Sequence, residues 1–194
     1  MLQQIDESIL YFLNGLHSQY FDAFFWCGTN GLTYIPLYLV VVWLLYKQFG
    51  NKIWLPILFI MLTVLLTDQS TNLIKSIVQR LRPARDPDVA PFLHIVNEYR
   101  GGFYSFPSGH ACNTFGLAVF LYRIIRPKRW GFTVAIFGWA AIMTYSRIYL
   151  GVHYPGDILV GGILGTAIGF LTSWLARKAI NKLRNAEQIQ ELYN

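Results

Sequence analysis

The sequence predicts an all-α fold, a polytopic membrane helix bundle of five to six membrane helices with an N-terminal interfacial helix. Composition is the first reason, because 54% of the 194 residues are hydrophobic, only 13% are charged, and the mean hydropathy is +0.37. The second is that the apolar residues are grouped in long runs, as in proteins that cross a bilayer repeatedly. Helices are expected because lipid offers the backbone no hydrogen-bond partners. The length fits a single domain, residues 1–194.

The N-terminal segment, residues 1–30, differs from the rest of the chain in its pattern. Its stretch IDESILYFLNGLHSQYFDAFF mixes apolar and polar residues at roughly helical spacing. That pattern is typical of an amphipathic helix lying in the membrane interface. No Lys or Arg occurs in this segment, so the basic region of a cleavable signal peptide is missing.

Five apolar runs follow, each near the roughly 17–25 residues that span the hydrocarbon layer. Asp68 interrupts the second run and His110 the third, whereas the other three are uncharged. The last run carries glycines at every fourth position, which predicts close packing against another helix. The runs are residues 23–46, 53–74, 103–122, 130–146 and 158–176.

The basic residues predict the orientation in the membrane. Ten of the 16 lie between the first and second runs, between the third and fourth, or in the tail, residues 177–194, so these parts are expected in the cytoplasm. Topology gives no reason for the other six, which face the opposite side. Membrane orientation and this one cluster account for the net charge of +6, and nucleic acid is not needed as a partner. The six are Lys75, Arg80, Arg82, Arg85, Arg100 and Arg147.

Three short motifs converge on that outer side. They read KSIVQRLRP from Lys75, PSGH ending at His110, and SRIYLGVHYPGD ending at Asp157. Lys75 and Arg82 are seven residues apart, two turns of a helix, so we expect one helix to carry both on the same face. Pro83 then ends that helix.

The residue types in these motifs fit the binding of a phosphate group. Lys75, Arg82 and Arg147 supply three positive charges, and a guanidinium group can bind phosphate oxygens through two hydrogen bonds. Ser108 and Gly109 precede a helix, where free backbone N–H groups and the helix dipole favour an anion. Glycine also lets the backbone approach closely.

Two histidines and an aspartate add the groups for phosphoryl transfer. Of His110 and His153, one can attack phosphorus while the other protonates the departing oxygen. Asp157, four residues after His153, is placed to accept a hydrogen bond from one ring nitrogen and leave the other free. Each group alone is explained by helix capping or interfacial anchoring. Together, in this order and on one face, the motifs predict an active site.

The motifs resemble those of the type 2 phosphatidic acid phosphatase family, whose signatures are K-x6-R-P, P-S-G-H and S-R-x5-H-x3-D. Every signature position matches here. The resemblance implies that His153 is the nucleophile that forms a phosphohistidine and that Asp157 orients it. His110 would be the general acid and then the base for water. It also implies that no metal or other cofactor is needed, and a set of residues that holds the phosphate: Lys75, Arg82, Ser108, Gly109 and Arg147.

The expected function is hydrolysis of a phosphate or diphosphate monoester of a lipid. The cap loop, residues 83–105, is expected to choose the headgroup, with Arg85 and Arg100 available to contact it. We expect the site on the periplasmic or extracellular side of a bacterial inner membrane, with the lipid and the bilayer as partners and no obligate protein partner. Undecaprenyl diphosphate is the favoured substrate. The alternatives are phosphatidylglycerol phosphate, phosphatidic acid and lipid A phosphates.

Three rival functions and one unassigned residue stay open at this point. A vanadate-dependent haloperoxidase would share the pocket, but such chains are soluble. A sugar-phosphate phosphatase and a non-catalytic transporter or scaffold are the others. Asp68, seven residues before Lys75, is either a partner of the basic cluster or a polar residue that reaches the interface.

Overall fold

The computed structural model describes residues 1–29, 31–125 and 130–193, and within these ranges the fold is all-α, as predicted. Short 3₁₀ turns precede α3 and α4 and occur within the cap loop. The described ranges contain no strand, only an isolated bridge between Leu81 and Tyr104. The helices are α1 (Leu2–Asn14), α2 (Gln19–Cys27), α3 (Ile35–Phe49), α4 (Trp54–Val78), α5 (Gly109–Ile124), α6 (Trp130–Tyr149) and α7 (Pro155–Tyr193).

The first predicted run does not form one helix. α2 ends at Cys27, and a 3₁₀ turn precedes α3, so the helix starts at Ile35 rather than near residue 23. Gly28 lies directly after α2, and Pro36 lies in the first turn of α3, where the missing N–H of proline costs nothing. Hydropathy alone does not register these interruptions, because the residues around them are apolar.

The expectation that Lys75 and Arg82 share a helix is wrong. α4 ends at Val78, Gln79 adopts the left-handed conformation with φ of 51°, and Arg82 is extended. The chain is extended here because it pairs with the end of the cap loop: the Arg82 N–H donates to the Phe103 carbonyl at 3.1 Å. Pro83 also disfavours helical geometry at the residue before it.

The remaining three helices follow their predicted runs with shifted ends. α5 begins at Gly109 instead of residue 103, because Ser108 caps it by accepting a hydrogen bond from the Ala111 N–H at 3.4 Å. α6 continues past its run to Tyr149 and so includes Arg147. α7 starts at Pro155 and continues as a helix through the tail, for which the sequence predicted no structure.

The glycine stripe of α7 packs against α5, as predicted. A Cβ atom at Gly165 would overlap the carbonyl of Cys112, and one at Gly169 would overlap the carbonyl of Gly116. The two backbones therefore touch along this seam. α5 also packs against α4 and α6, which makes it the central helix of the bundle. Because Gly109 begins α5, this packing fixes the position of the PSGH motif.

Large apolar side chains are exposed around the outside of the bundle. Such continuous apolar surface is unusual for a protein in water and is expected for one in lipid. Within the described residues, two segments are long and apolar enough to cross a membrane, Gly31–Val78 and Pro155–Ala186. The number of spans stays a prediction. The exposed residues include Leu39 and Trp43 of α3, Leu58 and Met61 of α4, and Leu159, Ile163 and Phe170 of α7.

α1 has the two faces expected of an interfacial helix. Its exposed face carries Leu2, Ile5, Ile9 and Phe12, whose spacing places them on one side of a helix. The other face carries Asp6, Leu10 and Asn14, which contact the protein. α1 therefore lies against the bundle with an apolar surface left for the membrane.

Asn14 attaches α1 to both the cap loop and α6. Its side-chain amide donates to the Tyr149 carbonyl at 2.7 Å and to the His94 carbonyl at 3.1 Å, and its oxygen accepts from the His94 N–H at 2.8 Å. The side chain is almost completely buried. α1 thus fixes the cap loop over the end of α6.

Candidate active site

The three sequence motifs meet at one end of the bundle. This end is formed by the last turn of α4, the start of α5, the end of α6, the turn before α7 and the cap loop above them. The motifs are joined through the backbone as well as through side chains. The Ser108 N–H donates to the Asp157 carbonyl at 2.9 Å, and the His153 N–H donates to the Arg147 carbonyl at 3.3 Å.

His153 and Asp157 form a buried pair. His153 lies in the turn between α6 and α7 and is 2% exposed, and the Asp157 carboxylate is fully buried. The His153 Nδ1 atom lies 3.4 Å from the Asp157 Oδ2 atom, which is long for a hydrogen bond but common in unliganded sites. The same carboxylate oxygen accepts from the Tyr154 N–H at 2.9 Å. Asp157 therefore faces one ring nitrogen of His153, and Nε2 is the other.

Burial keeps His153 in its neutral form. Removal from water lowers the pKa of His153 to about 4, and Arg82 and Lys75 act in the same direction, while Asp157 opposes them. A neutral imidazole retains the lone pair that a nucleophile needs. His153 is thus competent to attack at neutral pH.

His110 lies at the wall of a cavity of about 170 Å³ in the side of the bundle. The cavity is lined by Tyr34, Tyr38, Leu117 and Trp139 among others, so it is largely aromatic and apolar. His110 is exposed toward this space, and its ring lies close enough to His153 for the two to interact electrostatically. The two histidines thus share one site, with His110 on the side of the apolar cavity.

A larger cavity of about 530 Å³ lies between α5, α6 and α7. Its walls are almost entirely apolar, and it contains none of the predicted site residues. Its lining shares no residue with the cavity beside His110, so the two cavities are separate.

Lys75 and Arg82 reach the site from different elements. A Cβ atom at Gly109 would lie 3.5 Å from the Lys75 ammonium, so the lysine sits beside the start of α5. The Arg82 Nε donates to the Tyr104 carbonyl at 3.2 Å. Its guanidinium group lies so close to Gly101, whose φ is 60°, that a side chain at that position would clash. A glycine of the cap loop thus makes room for an arginine of the site.

Arg147 is the most deeply buried cation, with 2% of the residue exposed. Its Nε donates to the Ser146 hydroxyl at 3.1 Å and one terminal nitrogen to the Gly28 carbonyl at 3.3 Å. Tyr99 of the cap loop supplies another hydrogen bond. Neutral acceptors hold the guanidinium in place and leave its charge uncompensated.

The cations of this cluster lack carboxylate partners. Among the ion pairs of the described ranges, none joins a carboxylate to Lys75, Arg82 or Arg147 within 4.0 Å. Burial lowers the pKa of Arg82, and the nearby charge of Arg147 adds to this effect. Buried charges are normally paired, so three unpaired cations around two histidines form a site that attracts an anion.

Ser108 and Gly109 occupy the predicted anion position at the start of α5. Ser108 is completely buried and caps the helix. The backbone N–H groups of the first helical turn have no partner within the helix. The Lys75 ammonium lies beside Gly109 in this turn, and a cation next to a helix N-terminus is an arrangement that favours a phosphate group.

Arg85 and Arg100 hold the backbone of the cap loop. Arg85 donates to the Gly102 carbonyl at 3.0 Å and to the Gly101 carbonyl at 2.8 Å, and Arg100 donates to the Ala84 carbonyl at 2.8 Å. The Arg85 guanidinium also lies over the ring of Phe103. Headgroup contact by these two residues stays a prediction.

Asp68 is linked to the site through α5. Its carboxylate accepts a hydrogen bond from the Asn113 amide at 2.7 Å, and Asn113 in turn bonds to Thr67. Asp68 also interacts electrostatically with Lys75. Of the two interpretations left open by the sequence, this favours a partner of the basic cluster.

One residue with a clear place in the site was not assigned by the motifs. Arg80 is one of the six outer basic residues and lies within the first motif, but at a position that the K-x6-R-P signature leaves unspecified. It donates to Asp157 Oδ1 at 2.9 Å and to Asp6 Oδ2 at 2.8 Å. The available signal was its charge on the outer side without a topological reason; its partner Asp6 lies 74 residues away and had no signal at all.

A metal site would need several ligating side chains close together. Within the described ranges, no group of three or more His, Cys, Asp and Glu side chains is placed to hold a metal ion. Whether activity needs a metal is a question for chelation.

The chain is similar to known proteins over most of its length. Residues 53–181 match the PAP2 superfamily. A lipid A 4'-phosphatase of Bacteroides thetaiotaomicron is 40% identical over 187 residues, 95% of this chain and 82% of that protein. A lipid A 4'-phosphatase of Porphyromonas gingivalis is 34% identical over 168 residues, 86% of this chain and 70% of that protein.

An undecaprenyl-diphosphatase of Sulfolobus acidocaldarius is 41% identical, but only over 69 residues, 36% of this chain and 32% of that protein. The sequence-based preference for undecaprenyl diphosphate is therefore not supported. The relatives are named as phosphatases, which removes the support for a non-catalytic transporter or scaffold.

The fold has a solved counterpart. A transmembrane PAP2 type phosphatidylglycerolphosphate phosphatase from Bacillus subtilis superposes with a TM-score of 0.70 over 91% of this chain and 87% of that chain, at 21% identity. The family match covers well over half of the chain and includes all three motifs. This chain therefore belongs to the PAP2 superfamily and is a membrane lipid phosphatase.

Proposed function

We propose that this chain removes the 4'-phosphate from lipid A. The observation that carries the proposal is the 40% identity to a lipid A 4'-phosphatase over 95% of the chain. The similarity extends beyond the signatures to the cap loop and the N-terminal helices, where substrate choice is expected to reside. Undecaprenyl diphosphate, the substrate favoured by sequence, becomes the second candidate.

The charges of the site support a monophosphate substrate. Lys75, Arg82 and Arg147 surround one anion position. The other basic residues of this end are engaged elsewhere: Arg80 pairs with two carboxylates, and Arg85 and Arg100 donate to backbone carbonyls. A second phosphate group would need further cations, which the described residues do not leave free for it.

In the first half of the reaction, His153 Nε2 attacks phosphorus and the bond between phosphorus and the sugar oxygen breaks. His110 gives its proton to that oxygen. Asp157 faces His153 Nδ1–H and stabilises the positive charge that develops on the ring. The product lipid leaves, and a phosphohistidine remains.

In the second half, His110 takes a proton from water, and the water oxygen attacks phosphorus. The bond from phosphorus to His153 breaks, and inorganic phosphate is released. Lys75, Arg82, Arg147, the Ser108 hydroxyl and the Gly109 N–H hold the phosphate oxygens, whose charge increases in the transition state.

The aromatic cavity beside His110 suits the lipid part of the substrate. Because His110 protonates the leaving group, the leaving group must lie on its side of the site, where Tyr34, Tyr38 and Trp139 offer apolar surface. The positive-inside pattern supports a periplasmic position for this end of the bundle, at the inner membrane. The enzyme would then act on lipid in the outer leaflet of that membrane.

The test is release of phosphate by purified protein from a panel of lipids. The panel contains lipid A phosphorylated only at position 4', lipid A phosphorylated only at position 1, phosphatidic acid, phosphatidylglycerol phosphate and undecaprenyl diphosphate. We expect the highest kcat/KM on the 4'-phosphorylated lipid A, with loss of one phosphate by mass spectrometry. His153→Asn is the control for contaminating phosphatase. Faster release from undecaprenyl diphosphate or from the 1-phosphate would reject the proposal.

A further inference from the structure

Arg80 occupies an unspecified position of the K-x6-R-P signature, yet it joins the N-terminal helix to the site. Its guanidinium bridges two carboxylates, with NH1 donating to Asp157 Oδ1 at 2.9 Å and NH2 donating to Asp6 Oδ2 at 2.8 Å. The plane of the guanidinium also lies 3.6 Å above the ring centre of Tyr154, the neighbour of His153. Arg80 is therefore fixed on three sides.

Asp6 makes a second contact at the same place. Its Oδ1 accepts the Gly156 N–H at 2.7 Å, so a carboxylate from α1 binds a backbone N–H in the first turn of α7. A negative charge is favourable at the N-terminal end of a helix. Asp157 is the next residue of that turn. The Asp6 side chain thus holds Arg80 and the backbone beside Asp157 together.

Both oxygens of the Asp157 carboxylate have partners. Arg80 occupies Oδ1, whereas the Tyr154 N–H and His153 Nδ1 face Oδ2. A completely buried carboxylate stays charged only when cations and hydrogen bonds compensate it. Lys75 and Arg82 act on Asp157 at longer range, but Arg80 is the cation in direct contact.

We infer that Arg80 and Asp6 are positioning residues for the nucleophile, which hold the Asp157 carboxylate in place and turned toward His153. The inference rests on the proposed roles of His153 and Asp157. Neither Arg80 nor Asp6 touches the phosphate: they act on the far side of Asp157, through its second oxygen. The apolar face of α1 seats this helix on the membrane, so the fixation of the nucleophile depends on a helix that precedes the family signatures.

Arg80 differs from the phosphate-binding cations in its electrostatic surroundings. Burial alone would lower the pKa of Arg80, but the carboxylates of Asp157 and Asp6 reverse this and raise it. Arg82, two residues later, has no such partner, and its pKa is lowered. An arginine already neutralised by two carboxylates adds little attraction for a phosphate, so a role in orientation fits its contacts better than a role in binding.

The test compares Arg80→Gln, Asp6→Asn and the control Glu7→Gln, which makes the same charge change as Asp6→Asn one residue along α1, at a half-buried side chain that accepts a hydrogen bond from Gln3. All are measured on the panel lipid that the wild type hydrolyses fastest. We expect Arg80→Gln to lower kcat by about 10- to 100-fold, the usual cost of losing a group that orients a site residue. KM and the Ki of inorganic phosphate should change less than about twofold, because the anion site is intact.

Further variants separate positioning from simple loss of structure. Asp6→Asn should lower kcat less than Arg80→Gln, and the double variant should be no slower than Arg80→Gln alone, because the two residues act as a unit. Arg80→Lys keeps one charge and should restore part of kcat. The acid limb of the kcat profile should move to higher pH in Arg80→Gln, since the charge of Asp157, no longer paired with Arg80, then acts more strongly on His153 and raises its pKa. A role confined to folding would change the yield of folded protein but not this limb.

Two results would overturn the inference. One is wild-type kcat and an unchanged pH profile in Arg80→Gln, or in Arg80→Lys and Asp6→Asn together should Arg80→Gln not fold. The other is a rise in the Ki of phosphate that matches the loss of activity, which would make Arg80 a phosphate ligand. His153→Asn is assayed in parallel: activity in that variant rejects the proposed roles themselves, whereas an inactive His153→Asn with normal Arg80 variants rejects only the inference.

Discussion

The two ends of the bundle are both basic, but their cations are used differently. At the site end, Arg147 is buried and bound by neutral oxygens, and Arg82 lies beside it without a carboxylate. At the other end, Lys47 lies 4.2 Å from the ring centre of Trp43 and Lys178 lies 3.8 Å from that of Trp174, with both lysines exposed. The first arrangement leaves positive charge available for an anionic ligand, and the second is typical of interfacial anchoring.

The opposite end also brings together residues from separate helices. Gln48, Arg123, Arg177 and Arg184 line one cavity there, although they come from α3, α5 and α7. Three basic residues of the loop between α5 and α6, Arg126, Lys128 and Arg129, lie outside the described residues. Counting basic residues therefore does not locate a phosphate site. What distinguishes the site end is burial without a counter-charge.

The largest expected effect tests the histidines that only the site end contains. His153→Asn should lower kcat roughly 10⁴-fold or more, because no other nucleophile faces phosphorus. His110→Asn should be less severe on a substrate whose leaving group needs no proton, such as an aryl phosphate. Single-turnover assays with radiolabelled phosphate should trap a phosphohistidine in the wild type and none in His153→Asn.

A full-rate His153→Asn would contradict this prediction. EDTA provides a second check, since the family resemblance implies a reaction without metal. Activity should survive chelation, and loss of activity that a divalent ion restores would show a different mechanism.

The second effect compares matched arginines at the two ends. Arg147→Gln and Arg82→Gln should each lower kcat/KM by about 10²- to 10³-fold, because each removes a charged donor from the developing phosphate charge. Arg177→Gln, an exposed arginine at the opposite end, should leave kcat/KM within about twofold of the wild type. Steady-state kinetics on the preferred lipid measure all three. Equal losses at both ends would mean that the substitutions act through folding or membrane insertion.

The agreement between the sequence and the structure depends on whether a contact is local. The runs that became α4, α6 and α7 were recognised because hydropathy is a local property, and the signatures marked the residues that meet in the site. Arg82 was placed on a helix because the spacing rule assumes a continuous helix. The chain instead pairs with residues near Phe103, a contact across the cap loop that no periodicity reveals.

Other features were beyond sequence reasoning for the same reason. Asp6 lies in no motif and Arg80 at an unspecified position of the K-x6-R-P signature, and their bridge to Asp157 joins three distant parts of the chain. Gly28 and Pro36 carry the signal that the first run is broken, but hydropathy predicts one helix across an apolar run that contains them. The role of Gly101 depends on the Arg82 guanidinium beside it. Sequence patterns predict the reacting groups, and the structure is needed for the groups that hold them.

The third prediction concerns pH. His153 has a pKa of about 4 in the folded protein, lowered from an ordinary 6.5 by burial. A lowered pKa means that the unfolded state binds the proton more readily than the folded state. The contribution of neutral His153 to stability is therefore fully present above about pH 6.5 and is lost as the pH falls toward 4. Thermal unfolding in detergent should show a smaller loss between these values for His153→Asn, which does not titrate there. An equal loss in both proteins would show that His153 is not the group responsible.

The same pKa predicts the pH profile of the reaction. The nucleophile stays neutral through the range from pH 5 to 8, so His153 should not limit kcat/KM until the pH approaches 4. Ionisation of the substrate phosphate, near pH 6, should appear equally in wild type and variants. The assignment would be contradicted if the pH profile of the wild type showed an enzyme group with an apparent pKa near 6.5 and His153 variants lacked it.

A smaller effect is expected from the cap arginines. Arg85 and Arg100 donate to backbone carbonyls, so Arg→Gln at either should loosen the cap and raise KM about two- to threefold, equally for monophosphate and diphosphate lipids. If they contact the headgroup, as the sequence suggested, KM should rise more for the diphosphate. The ratio of the two KM values decides between these roles, with Lys182→Gln as an exposed control at the opposite end.

The last prediction concerns the orientation of the two ends and should leave catalysis unchanged. Ten of the 16 basic residues lie in the segments that connect the helices at the opposite end or in the C-terminal tail. That end is therefore expected in the cytoplasm and the site end outside it. Single cysteines replace Asp88 in the cap loop and Lys182 in the C-terminal helix, both exposed, in a background carrying Cys27→Ser and Cys112→Ala. A membrane-impermeant thiol reagent should label position 88 in intact spheroplasts and position 182 only after lysis. Labelling of 182 but not 88 in intact spheroplasts would reverse the topology. The substrate phosphate would then have to be presented in the cytoplasmic leaflet, while the chemistry of the site would be unaffected.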